Sequence, residues 1–341
     1  MPQRPSTPSM SDVARRAGVS RGTVSNVLNA PHVVRPQVRE RVLAAIAQLG
    51  YVRNESARTL AAGSSRVIGI VLADLGNSLF VDLARGAEEL GAAHGMKVVI
   101  VDSAIDAERQ REALALFREL RAAGVILTPL NPVDETLKAP PGGAPLVLAD
   151  HTHPHWDGSS VTTDERLGGL LATRHLLQLG RRRLLFAGCT GNVKVIDERH
   201  AGAAAAVAEI PGATLTTLTA EGLEIASGRD IARQALQVRK PFDAIFAATD
   251  LMAVGCIQVL RSAGVRVPED VAVVGFDDNR FASEDAIPIS TIAKNAHRVG
   301  EEAMRLVLDA LYEADTAPRQ VVLEPELVAR QSSLGSAVQA L

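Results

Sequence analysis

A small all-α headpiece of helix-turn-helix type, followed by an α/β core of two doubly wound parallel-sheet lobes, is the fold class this sequence predicts. Three observations predict it. Short apolar stripes at helical spacing, punctuated by capping residues and glycines, fill residues 9–50. From Val67 onward, continuous apolar runs alternate with helical patterns, the signature of parallel strands covered on both faces. Charge divides near the same place. Residues 1–63 carry nine arginines and no lysine against Asp12, Glu40 and Glu55, a surplus of six positive charges; since the whole chain totals −3, the remainder holds a surplus of nine negative charges. A cationic head on an acidic body is the asymmetry of a nucleic-acid-binding module joined to something else.

The headpiece elements follow from local chemistry. Ser9 and Asp12 have capping-box spacing and start a helix, whose apolar stripe is Val13, Ala14 and Ala17 and whose stop is Gly18. Ser20 caps a second helix with Val24, Val27 and Leu28 facing inward. This leaves Arg21, Gly22, Ser25 and Asn26 facing outward near the start of that helix, where a helix-turn-helix unit meets base edges in the major groove. Pro36 suits the first position of a third helix, with Val38, Val42, Leu43, Ile46 and Leu49 along one side and Gly50 at its end. Residues 1–8, with three prolines, read as a disordered arm, residues 9–50 as the helical domain, and residues 51–66 as a linker. Within that linker Asn54 to Ala62 can form a nine-residue helix. So short a helix is marginal alone in water and forms when something packs on it.

The core, 67–341, is read element by element. Strands are expected at Val67–Ala73, Met96–Val101, Val125–Thr128, Pro145–Ala149, Arg183–Gly188, 214–218, Ala244–Ala247 and Val271–Phe276. Helices are expected at 79–94, 107–122, 165–179, 198–208, 227–238 and 250–263. Ligands in such folds lie at the carboxyl ends of strands, which here carry Asp74, Asp150, Asp250 and Asp277.

The 341 residues, 47% of them hydrophobic, are enough for about two to three domains. Cys189 and Cys256 stand far apart without a paired framework, as in a reducing cytosol. The first residues contain no apolar core of a signal peptide, and there is no stretch of about 18 apolar residues to span a membrane. The expected location is therefore the cytoplasm, in association with the nucleoid, with no membrane partner. The sequence has no phosphate-cradling glycine loop, no GxSxG and no HExxH, which argues against an enzyme; no cofactor or metal is expected.

Taken together, these residues resemble the LacI family of bacterial transcription regulators, over essentially the whole chain. The DNA-reading unit is carried by Asp12-Val-Ala-Arg-Arg-Ala-Gly-Val-Ser20 and Thr23-Val-Ser-Asn-Val-Leu-Asn29. Leu49-Gly-Tyr51 and Ala57-Arg-Thr-Leu60 resemble the headpiece end and a hinge helix. Asp74–Phe80, Glu198–Gly202, Ala248–Gly255 and Pro268–Asp278 resemble core motifs. The resemblance implies two lobes like those of periplasmic binding proteins, with crossings near 160, 290 and 325, so that lobe 1 takes about 67–160 and 291–324 and lobe 2 about 161–290 and 325–341. It further implies a homodimer that binds a palindromic double-stranded operator, as a repressor, under control of a small molecule, with a carbohydrate as the family-level expectation. A nucleoside- or purine-responsive regulator and a ligand-independent one are the alternatives. An exported solute-binding protein shares the core, but the cationic head argues against it. Only about ten residues follow Arg330–Ser333, too few for a leucine-heptad tail that would build a tetramer.

On that resemblance Arg21, Gly22 and Asn26 occupy the base-reading positions. Arg21 can donate two hydrogen bonds to a guanine edge or hold a phosphate, Asn26 can pair with adenine, and Gly22 departs from the family by offering no side chain. Thr23, Ser25 and Asn29 position the backbone. In the hinge, Ala57, Arg58 and Leu60 match minor-groove contacts. Leu60 is either the wedge that opens a base step or an ordinary apolar contact. The effector positions are Asn77, Ser78 and Phe80 from the first lobe with Asp150, Arg199, Asp250, Phe276 and Asp277. Each acid has a helix N-cap as its alternative role, Asp250 above all because it begins a helix. Relatives keep an aromatic residue near Leu223, and this loop has none, which leaves Phe80, Trp156 and Phe276 as stacking platforms. His151-Thr-His-Pro-His155 can be a zinc loop or a polar surface loop.

Overall fold

The computed structural model describes residues 8–51, 65–129, 143–151, 156–191, 193–237, 241–313 and 316–335. The chain divides into an N-terminal unit up to Ser64 and a larger unit from Ser65. The expected hinge helix with Ala57, Arg58 and Leu60 lies outside the described residues, as do the arm at 1–7, His153 and His155.

The N-terminal unit is built on α1 (Met10–Ala17), α2 (Arg21–Asn29) and α3 (Pro36–Leu49). The capping box forms: Ser9 Oγ accepts from Asp12 N while Ser9 N donates to Asp12 Oδ2 at 2.9 Å. Gly18 closes α1 at φ 65° and Gly50 closes α3 at φ 59°, left-handed values at which any side chain is strained. Ser20 Oγ accepts from Thr23 N at 3.1 Å, which sets the start of α2. The core is Val13, Ala14, Ala17, Val24, Val27, Val42 and Ala45. Leu43, expected in that core, is exposed instead. On α3, Ala45 turns inward with Val42, because positions 42, 45, 46 and 49 share one face of the helix and position 43 is rotated about 100° from Val42.

The larger unit holds two parallel sheets. Sheet order in the first is β11-β5-β4-β3-β1-β2, formed by β1 (Val67–Leu72), β2 (Lys97–Asp102), β3 (Gly124–Leu127), β4 (Leu146–Ala149), β5 (Ser160–Thr163) and β11 (Gln320–Leu323). The second has order β7-β6-β8-β9, from β6 (Arg183–Cys189), β7 (Thr214–Ala220), β8 (Ala244–Ala247) and β9 (Ala272–Val274). The chain leaves the first sheet after β5, returns through β10 (Thr291–Ala293), and leaves again after β11 through β12 (Glu326–Val328). β10 and β12 pair antiparallel as a short ribbon between the lobes.

Helices cover the sheets in pairs. α4 (Ser78–Ala93) packs on α11 (Ala296–Tyr312), α6 (Glu165–Gln178) on α7 (Lys194–Ala208), and α8 (Ile225–Gln237) on α9 (Asp250–Ser262), with α5 (Ala107–Glu119) beside β1 and β2 and the short α10 (Arg280–Glu284) after β9. Each of the three pairs meets at reciprocal glycines. A Cβ at Gly86 would lie 1.9 Å from His297 O and one at Gly300 1.8 Å from Leu83 O. At Gly169 it would lie 2.0 Å from Arg199 O, and at Gly202 2.0 Å from Arg166 O. At Gly228 and Gly255 it would lie 2.1 Å from Met252 O and Ile225 O. Backbones therefore touch directly, and the helices that carry Glu165 and Arg199 are held at one spacing.

Helix α7 begins four residues before the expected start at 198. Its N-cap, Val193, makes no side-chain capping bond, so no local signal marks the start. β5, β10, β11, β12, α10 and α11 were not anticipated from periodicity; the strands among them are three or four residues long, too short for a period to register. No helix among the described residues is long and apolar enough to cross a membrane.

Candidate functional site

In the N-terminal unit the start of α2 presents Arg21, Gly22 and Asn26 as exposed residues, with Asn29 exposed one turn on and Thr23 and Ser25 half-buried. Thr23 Oγ1 is 2.9 Å from Ser20 Oγ, and Asn29 Nδ2 donates to Ser25 Oγ at 3.1 Å, so these hydroxyls are tied into the helix surface. A Cβ at Gly22 would meet only Ser20 Oγ, at 3.6 Å. No packing within the unit demands a glycine there. Arg15, Arg16, Arg35, Arg39 and Arg41 are exposed around the same small body, which gives it the cationic surface that phosphate binding needs.

In the larger unit the structure gathers Asp150, Arg199, Asp250, Phe276 and Asp277 where the lobes cross, and adds Glu165 and Lys294. Asp150, Lys294, Glu165, Arg199 and Asp277 are organised as one chain of charges. Asp150, at the end of β4, has Oδ1 2.5 Å from Lys294 Nζ. Lys294 Nζ lies 2.7 Å from Glu165 Oε1, an ion contact too oblique to be a directed hydrogen bond. Glu165 Oε2 accepts from Arg199 Nε at 2.7 Å, and Arg199 Nη2 donates to Asp277 Oδ1 at 3.3 Å. Arg199 is completed by Ala248 O at 2.5 Å and by the Phe276 ring, whose centroid is 3.7 Å from its Cζ, a cation–π contact in a dry site. Asp250 sits beside this chain, fully buried. The N-cap of α9 is Thr249 rather than Asp250. Asp250 Oδ1 accepts from Thr291 Oγ1 at 2.6 Å and Oδ2 from Asn279 N at 2.9 Å, which pins the turn after β9 to the crossing ribbon.

Burial decides the protonation chemistry. It drives the Asp250 carboxyl well above the usual range, with Asp277 adding repulsion. It pushes Asp277 up to about 6, opposed by Arg199 and Lys294, and it raises Asp150 against the pull of Lys294. Burial acts on Glu165 the same way, but Arg199 and Lys294 together outweigh it and hold that carboxyl below its ordinary value. Lys294 is disfavoured by burial and recovered by Asp150 and Glu165, ending above its ordinary value. Glu165 is thus the hub between two cations.

The remaining predicted residues are placed differently. Asn77 caps α4, its Oδ1 accepting from Leu79 N at 3.0 Å. Ser78 Oγ accepts from Arg280 N at 3.2 Å, a hydrogen bond from one lobe to the other. Phe80 packs against the core of the first lobe. Of the expected stacking platforms, Phe276 is covered by Arg199, and Trp156 is buried with Nε1 donating to Ser159 O at 2.9 Å. The exposed aromatic beside the Ser78–Arg280 contact is Phe281, which sequence reasoning passed over. Asn279 Nδ2 is buried and has no partner among the described residues. Asp277 and Asp278 also line a cavity of about 580 Å³, together with Leu79 and Asp82 of α4 and Arg298 and Glu326. Asp278 itself pairs with Arg330 at 2.7 Å. Among the described residues no three metal-ligating side chains come together.

A helix-turn-helix headpiece ahead of two parallel α/β lobes, with a polar centre at their crossing, defines a class: DNA-binding transcription regulators with a periplasmic-binding-protein-like core. The family model described as bacterial regulatory proteins, lacI family, matches residues 9–54, and the periplasmic binding protein-like domain matches residues 173–333. The HTH-type transcriptional regulator RegA of Clostridium saccharobutylicum is 33% identical over 330 residues, covering 96% of this chain and 99% of RegA. The regulator CelR of Thermobifida fusca is 33% identical over 341 residues, covering 97% and 99%. The solved complex of a regulator CelR with cellobiose matches at TM-score 0.69 with 30% identity, covering 96% of this chain and 100% of that one. The lac repressor dimer bound to operator and the anti-inducer ONPF matches at TM-score 0.83 with 26% identity, covering the same shares. The chain belongs to the LacI family, whose members here are transcriptional regulators and not enzymes.

Proposed function

We propose that this regulator is a cytoplasmic repressor that binds a palindromic operator as a homodimer, and that a neutral polyol, a sugar or sugar derivative, entering between the lobes changes its hold on DNA. The observation that carries the ligand reading is the cavity of about 580 Å³ between α4 and the crossing ribbon, where Asp277 joins it to the buried ion chain. Ligand pockets fall at roughly 300–1,000 Å³, and a wall rich in carboxylates accepts from hydroxyl groups. Asp277 and Asp278, with Asp82 and Glu326, line that cavity and are the groups proposed to meet the ligand first; Asp150, Arg199 and Asn279 stand behind Asp277, and Asn77 and Ser78 begin the helix that forms one wall. Asp250 and Phe276 serve it indirectly, one by fixing the turn at 277–279 and the other by supporting Arg199.

A purine-type ligand is the second reading, favoured by one observation, the exposed ring of Phe281, which follows directly on the Ser78–Arg280 contact between the lobes. For the homodimer the support is an apolar edge. β2 is an edge strand with Val99 and Ile100 exposed, and Leu116 and Leu120 are exposed nearby on and just after α5. Exposed apolar edges of this kind call for a partner. For the DNA reading, Arg21 and Asn26 read base edges and Gly22 lets the backbone approach.

The test is selection of bound duplexes from a random pool, followed by titration of the winner at fixed salt with cellobiose, ribose, guanine and hypoxanthine present in turn. The reading expects a palindrome and a change in affinity with a sugar. A purine response alone would replace the polyol by the second reading, and recovery of no preferred sequence would reject the operator.

A further inference from the structure

Among the described residues the chain crosses between the lobes three times, and the regular pairing at the crossings is the three-residue ribbon of β10 and β12. Lys294 follows that ribbon directly, and it is 1% exposed. A wholly buried ammonium must have carboxylate partners or give up its proton. Lys294 finds one partner in each lobe: Asp150, closing β4 of the first sheet, and Glu165, opening α6 on the second. The backbone on either side of the first contact is held in left-handed conformation, Asp150 at φ 61° and Asn295 at φ 51°. Such conformations are strained for residues other than glycine and persist where surrounding contacts impose them.

We propose that Lys294 is a positioning residue, a clasp whose ammonium ties Asp150 of the first lobe to Glu165 of the second and thereby sets how the two lobes stand to each other. The tie also orients Asp150. With Oδ1 committed to Lys294 and the side chain still 14% exposed, Oδ2 is the oxygen left to accept from a ligand. A ligand that draws Asp150 away from Lys294 frees the lobes, and one that bonds to Oδ2 without displacing Lys294 locks them. The clasp holds whichever ligand the crevice takes, so it stands apart from the polyol reading.

The experiment measures lobe separation directly in the full chain. Spin labels are placed at E112C on α5 and Q234C on α8, both exposed, in a C189S background, since Cys256 is buried, and the labelled chain is diluted into excess unlabelled chain so that each measured pair of labels lies within one protomer. The parent is expected to give one narrow distance distribution. K294M and D150N are each expected to broaden it about twofold or displace it, as a hinge released does. The double variant should be no broader than the worse single one, because the two residues act as a pair. R174A, which breaks the exposed Arg174–Glu209 pair inside the second lobe, should leave it unchanged. A residue important only for stability would lower the melting temperature of K294M without moving the distance. If K294M does not fold, D150N decides alone, since it leaves Lys294 paired to Glu165. Folded variants with the parent's distribution, or a double variant that adds the two single effects, would overturn the clasp.

Discussion

Asp277 concentrates the chemistry of the core in one side chain. It stands at φ 108°, it closes the ion chain through Arg199, and it lines the cavity. Its carboxyl is raised by burial to about 6 in the fold, from an ordinary 3.8. The folded state therefore binds this proton more tightly than the unfolded chain does, and stability present at pH 4 declines as the pH rises through 6. The difference is worth up to about 3 kcal/mol. D277N cannot ionise, so its stability relative to the natural chain should improve steadily between pH 4 and pH 7, as read by urea unfolding at each pH. A constant offset would mean that Asp277 titrates normally. At the other end of the chain, Gly22 is free of steric demand within its unit. G22A should therefore slow amide exchange in residues 21–29 by roughly two- to five-fold through helix propensity, while weakening operator binding. Unchanged operator binding would remove Gly22 from the DNA surface. The acids of the site were legible in the sequence because strand ends and motifs mark them. Glu165 and Lys294 were not, since each looks like an ordinary surface charge until the fold sets them against Asp150 and Arg199.

Among the elements, the helix pairs matter most for the site. α6 and α7 touch through Gly169 and Gly202, and the contact at Gly169 is to the carbonyl of Arg199 itself. G169A would push α7 away from α6, moving Arg199 off Glu165. It should cost about 1–3 kcal/mol or more in denaturant unfolding. G86A between α4 and α11 should cost a similar amount while leaving the Arg199–Glu165 geometry intact. If G169A unfolds like the natural chain, the helices are not spaced by their glycines. The capped helices of the headpiece could be read from the sequence because Ser9, Gly18, Ser20 and Gly50 act within a few residues of themselves. The start of α7 at Lys194 could not, because no capping side chain announces it.

At the scale of the whole molecule, the apolar edge at β2 calls for cover. I100D places a charge on the exposed β2 edge without entering the core. It should convert a dimer to a monomer in sedimentation, with operator affinity falling because two linked headpieces bind far more tightly than one. A dimer that survives I100D would place the interface elsewhere. The three headpiece helices, the cationic headpiece and the α/β alternation of the longer core elements were determined by the sequence itself, because periodicity, capping and charge are properties of neighbouring residues. Which charges meet was decided only in the tertiary structure. Asp150, Glu165, Arg199, Asp277 and Lys294 come from five separate stretches, and their burial, not their spacing, turns them into one chain. Burial removes the water that would otherwise screen each charge, so pairing becomes obligatory only once the lobes have closed around them.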